Sequence, residues 1–158
     1  MKTLVLMANS EWALFVQLEK NHFEVIEERE HPESKEKVGH LVSDRSGRAS
    51  SKMSAVGPAL NERQDVMDEE RRKFAREVVG FCKQRCITDP FQELWIVAGP
   101  RFLGELRSYF QGMHALPYSI REIHKELTPY ESVKDKMRKV QEWVHELPVR
   151  KKATWKFA

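Results

Sequence analysis

The sequence is short of the residues that would make it anything but an ordinary folded domain. Two cysteines, Cys82 and Cys86, are too few for a disulfide framework, which points to a reducing compartment. Seven glycines and seven prolines in 158 residues exclude collagen-like and low-complexity chains. No stretch approaches the roughly 18 apolar residues of a membrane span, so membrane insertion is not expected. The apolar run after Lys2 breaks at Asn9, too soon for the h-region of about 7–15 residues in a secretory signal, and a cytoplasmic location is expected.

What is present suffices for one core. Hydrophobic residues make up 41% and charged residues 32%, and at about 150 residues per domain the length gives a single domain. The formal charge of +3 is unevenly spread. The last ten residues hold Arg150, Lys151, Lys152 and Lys156 and no acid, so residues 1–148 carry a net −1. Residues 1–42 carry −3 and residues 69–112 carry +2, so the amino-terminal part is acidic and the middle mildly basic. A basic isoelectric point alone is therefore a weak argument for nucleic acid. The tail Val149–Ala158 offers charge with aromatics for an anionic surface, or is simply a solvated terminus.

Periodicity gives the elements. Thr3–Ala8, Trp12–Leu18 and a partly alternating Phe23–Glu28 read as strands, and their short connections require an antiparallel meander. His31 to Leu60 looks irregular, broken by Pro32, Gly39, Gly47, Gly57 and Pro58, and a long loop over about residues 31–67 is expected. A helix follows from about Asp68 to Cys86, with Phe74, Val78, Phe81 and Cys82 on one face. Leu94–Ala98 reads as a buried strand. Gly99-Pro100 turns it into a second helix with Phe102, Leu103, Leu106, Tyr109 and Phe110 as its stripe. Tyr118–Ile123 reads as an edge strand. A last helix is expected to begin at Pro129, with Thr128 and Glu131 as a capping box. The fold class is thus α/β: one domain over residues 1–148, a mixed sheet with an N-terminal antiparallel three-strand meander followed by α-β-α-β-α. That is the ribonuclease H-like arrangement.

The motifs narrow the chemistry. A two-cation nuclease on such a sheet needs carboxylates on the first and fourth strands, and Thr3–Ala8 and Leu94–Ala98 contain none. Cys82 and Cys86 stand four apart on a helix with no further Cys or His at short spacing, so Cys82 reads as a core residue and no metal is expected. The six histidines form no local ligand motif, and no P-loop, G-x-G-x-x-G or G-x-S-x-G occurs; no cofactor is called for. Two turns suit anions. In Ser43–Arg48, Asp44 closes an Asx turn and Gly47 permits positive φ, so that Arg45 and Arg48 project for bidentate phosphate or carboxylate recognition; the alternative is a structural turn with Asp44 paired to an arginine. In Gly99–Gly104 a helix N-terminus opens at the carboxyl end of a strand, with Arg101 in the first turn. Here Pro100 and Gly104 alternatively serve only close packing.

Leu41–Arg48, Phe74–Val78, Leu94–Arg107 and Ile123–Thr128, in that order over about residues 3–146, resemble the host attachment protein family. That family in turn resembles the central domain of the archaeal and eukaryotic peptide-chain release factor. In that domain a Gly-Gly-Gln loop tip promotes peptidyl-tRNA hydrolysis; the corresponding stretch here, roughly Ser43–Asp68, has no Gly-Gly-Gln, and release activity is not carried over. The resemblance and the two anion-competent turns together lead to the expectation of a non-enzymatic binding domain whose partner is tRNA or the ribosome, with Asp44, Arg45, Gly47, Arg48, Arg101 and Lys125 as binding residues. A small hydrolase or transferase acting on an anionic substrate, and a protein-interaction module acting on attachment indirectly, are the alternatives.

Overall fold

The computed structural model describes residues 1–31, 56–111, 116, 117 and 119–147. Its elements are β1 (Lys2–Ala8), β2 (Trp12–Glu19), β3 (His22–Glu30), α1 (Val56–Thr88), β4 (Glu93–Val97), α2 (Pro100–Phe110), β5 (Ser119–Ile123) and α3 (Val133–His145). The five strands form one mixed sheet in the order β3-β2-β1-β4-β5. The expected meander is there, with β1/β2 and β2/β3 antiparallel, while β1/β4 and β4/β5 are parallel. The expected edge position of β5 also holds.

Chemistry at the turns sets this path. Asn9 Oδ1 accepts from the backbone N–H of Glu11 at 2.8 Å and of Trp12 at 3.0 Å, an Asx turn that reverses the chain after β1. Lys20 and Asn21 take φ of 50° and 65°, the two left-handed positions of a tight hairpin, joining β2 to β3. Phe15 pairs with Glu27 but Val16 with Val25, so Ile26 is an extra residue in β3. This bulge is why β3 alternates only in part.

Covering on both faces explains the unbroken apolar runs of the central strands. Leu4, Leu6, Leu94 and Ile96 face a core closed by Phe74, Val78 and Cys82 of α1 and by Phe102, Leu103 and Leu106 of α2. Val5, Met7, Trp95 and Val97 face a second core closed by Met137, Val140 and Val144 of α3.

Strand ends shift by a residue or two, and two helix starts differ more from expectation. Helix α1 starts at Val56, twelve residues before Asp68, so part of the expected loop is helical. Gly57-Pro58, read as a breaker, lies in the first turn, where proline's missing N–H costs nothing. Helix α3 starts at Val133, not Pro129: Ser132 Oγ accepts from Asp135 N at 3.1 Å and Ser132 O from Lys136 N at 3.0 Å. Thr128–Glu131 forms a turn ahead of it, where Glu131 binds Lys139 and the Thr128 backbone. Gly104 packs against nothing and is exposed, so close packing is not its role.

α1 runs the height of the sheet and beyond. Its C-terminal end meets the amino end of β1, where Asp89 lies 3.8 Å from Lys2 and Gln92 N donates to Lys2 O. Glu70 reaches the opposite edge, beside His31 at the end of β3. At 1.5 Å per residue, Val56–Met67 therefore overhangs that edge by about 18 Å.

Candidate functional site

The strands β3, β1, β4 and β5 all run one way and end at the edge that α1 overhangs. His31, Asn9, Gly99 and His124 leave the sheet there. Carboxyl edges of this kind are where α/β sheets place binding residues, because the loops diverge and leave a crevice.

Arg101 lies in the first turn of α2 with its side chain 71% exposed. A cation there opposes the helix dipole, and two carboxylates answer it. Asp68 Oδ1 is 3.7 Å from Arg101 Nη2. The Glu126 side chain lies against the N-cap Gly99, whose added Cβ would fall 3.0 Å from Glu126 Cγ. The N-cap Gly99 has no side chain to cap α2, and Glu126 supplies negative charge at this helix start. Asp68 is shared, taking Arg71 at 2.9 Å and Gln64 at 3.0 Å, and Arg71 reaches Glu105 at 3.5 Å. An exposed pair at 3.7 Å is worth at most about 1 kcal/mol, so Arg101 exchanges partners readily.

Lys125 follows β5 on the same edge. Its ammonium sits 5.9 Å from the centre of the Trp143 ring, and among the described residues it makes no ion pair. Lys125 and Trp143 line a hollow of about 310 Å³ between β5 and the end of α3. Arg101 lines a second, shallower hollow with Gly99, Phe102 and Glu126. His124 borders both, so the two hollows are neighbours on this edge. Of the six expected binding residues, the structure thus brings Arg101 and Lys125 to one edge. Asp44, Arg45, Gly47 and Arg48 lie outside the described residues.

Sequence reasoning missed the third feature of this edge. His31 Nε2 is 2.9 Å from Glu70 Oε2, the imidazole stacks on Phe74 at 5.0 Å, and Phe74 meets Phe102 at 6.2 Å. Lys73 Nζ adds a contact of 3.7 Å to Glu70, which is only 4% exposed. The one signal was Glu70's position four residues before Phe74, on the stripe that continues through Val78 and Cys82. An acid on a buried stripe asks for a partner.

Other ionisable groups are structural. Glu93 stands at the amino end of β4, away from this edge, and accepts from Trp95 Nε1 at 2.8 Å while Arg121 closes at 2.5 Å. Arg107 grips Glu122 through two bonds of 2.6 Å, which raises the guanidinium's pKa and locks α2 to β5. A hydrogen bond with Cys86 and burial push the Cys82 thiol well above its ordinary range, the opposite of an activated thiolate.

Comparison with known families and proteins adds two facts. A family model described as "Protein required for attachment to host cells" matches residues 4–138. No curated protein matches the chain.

Proposed function

The chain belongs to the family of proteins required for attachment to host cells, and on that premise we propose that it is a non-enzymatic, cytoplasmic binding domain for phosphate-rich RNA, namely tRNA or the ribosome. The observation that carries the reading is the pair of neighbouring hollows that share His124, with the exposed Arg101 in one and, in the other, Lys125, which makes no ion pair among the described residues. Two cations at strand ends, with an aromatic ring beside one of them, suit a polyanion better than a small neutral ligand. Arg45 and Arg48 belong to the same reading as further phosphate contacts. The sheet order, with a meander leading into parallel strands and helices on both faces, supports reading the fold as ribonuclease H-like and akin to the release-factor central domain. That kinship is the source of the RNA assignment and is fold-level analogy.

Titration with tRNA and with ribosomes at low salt tests the proposal. Binding is expected, weakened by Arg101→Ala with Lys125→Ala and separately by Arg45→Ala with Arg48→Ala. No binding, or binding indifferent to both pairs, overturns it. Co-purification from cells separates it from a protein-interaction role: partners should be lost on ribonuclease treatment, and protein partners that survive it would favour the interaction module.

A second reading, hydrolysis or group transfer on a small anionic substrate, draws on the His31–Glu70 pair. A carboxylate-held imidazole can move a proton, and the Phe74 ring stacked on it meets Phe102, the residue after Arg101, whose cation could hold a negative charge. Turnover of a phosphate or carboxylate ester that vanishes in His31→Ala would favour it over binding alone.

A further inference from the structure

We propose that the hollow between β5 and the end of α3 is a nucleobase site: an unpaired base of single-stranded RNA stacks on Trp143 while its phosphate pairs with Lys125. This rests on the RNA-binding reading above and specifies how part of that surface works.

Trp143 is built into the hollow in an unusual way. Trp12 and Trp95 are buried at 6% and 8% exposure, whereas Trp143 is only partly covered. The cause is its place on α3. Met137, Val140 and Val144 form the stripe against the sheet, and Trp143 stands just off it, with one side on the core and the rest in the hollow. A partly covered indole keeps its apolar body on the core and offers a ring to a planar ligand.

The polar groups around that ring match a nucleotide. The Arg121 guanidinium is spent on the buried Glu93 and the Val144 carbonyl, so among the described residues the cation left on the rim is Lys125. Its ammonium, 5.9 Å from the ring centre, is at the outer limit of a cation–π contact, close enough to meet the phosphate of a base lying on the ring. The edge position of β5 supplies main-chain groups as well. Ile123 O accepts from Ala98 N, so the ladder to β4 runs to the end of β5, where the hollow opens. Glu146 on the rim can accept a hydrogen bond from a base's ring N–H or exocyclic amino group. An extended peptide would instead need a long open edge, and β5 is five residues long with the hollow at its carboxyl end.

Binding of a single-stranded RNA oligonucleotide and of inorganic polyphosphate by the full chain tests this directly. Stacking is worth about 1–3 kcal/mol per base, so Trp143→Ala should weaken the oligonucleotide roughly 5- to 150-fold and leave polyphosphate unchanged. Trp143→Phe, which keeps the packing and an aromatic face, should recover most of the loss, and Lys125→Ala should weaken both ligands. RNA held through Arg101 with no dependence on Trp143 would overturn this site and leave the RNA reading standing. Equal loss of both ligands in Trp143→Ala, or displacement of RNA by an extended peptide that binds the hollow, would also overturn it. Absence of RNA binding to the unaltered chain would remove both.

Discussion

His31 Nε2 and Glu70 Oε2 meet at 2.9 Å across 39 residues of sequence, and this contact fastens the end of β3 to the middle of α1. Phe74 covers the imidazole from below, and Glu70 is almost wholly buried. The pair therefore fixes where α1 leaves the sheet and begins its overhang.

Removing the carboxylate leaves the imidazole without its partner and opens the corner to water. Glu70→Ala should cost about 1–3 kcal/mol, the penalty for orphaning a buried hydrogen-bonding group. His31→Ala should cost a similar amount, and the double variant less than the sum. Urea unfolding of the three variants checks this, and strictly additive losses would mean that the two residues do not act on each other.

Glu93 and Arg121 make a second tie, at the other end of the sheet. Glu93 is 4% exposed and also accepts from Trp95. Breaking such a pair leaves an uncompensated charge, so Glu93→Ala should destabilise by about 3–5 kcal/mol. Replacing both residues by apolar ones of similar volume should cost far less. Thermal and urea denaturation of the single and paired variants distinguish the two outcomes.

Lys136 gives the pH dependence. Burial lowers its pKa, against the pull of Glu131 and Glu28, although its ammonium rests 4.4 Å over the Trp12 ring. The folded chain thus holds this proton less tightly than the unfolded one. Its burial counts against stability below the folded pKa, and the penalty lifts as pH rises through the folded value towards the unfolded one. Lys136→Met should therefore be neutral or stabilising near pH 7, with the advantage fading in alkali. Unfolding measured from pH 7 to pH 10.5 shows this, and a variant that loses stability at pH 7 would contradict it.

Gly80 and Gly104 lie inside helices with nothing within 4 Å of an added Cβ. Alanine at either should raise stability by about 0.5–1 kcal/mol through backbone entropy and helix propensity. A rise in the urea midpoint with an unchanged slope is the expected reading.

The sequence made the sheet legible because its strands obey one rule each. The central runs Thr3–Ala8 and Leu94–Ala98 are apolar on both faces, and the meander's short connections leave one pairing. The boundaries that escaped were decided by competition. Thr128–Glu131 and Ser132–Asp135 both spell a capping signal, and Pro129 favoured the first. In the fold Leu127 is drawn into the second core, Glu131 turns to Lys139, and Ser132 caps instead. The start of α1 was hidden because Gly57-Pro58 reads as a breaker, although both residues fit a first helical turn. On the candidate site, Arg101 and Lys125 were legible from their place after strands. The His31–Glu70 contact was not, since no local spacing joins residues on different elements.

The central claim is that the carboxyl edge meets RNA phosphates through Arg101 and Lys125. The salt dependence of tRNA affinity tests it most directly, because each phosphate contact contributes about 0.7–0.9 to the slope of log affinity against log salt. The account predicts that Arg101→Ala combined with Lys125→Ala lowers that slope by about 1–2 while the fold is retained. An unchanged slope, with tRNA still bound, would contradict it.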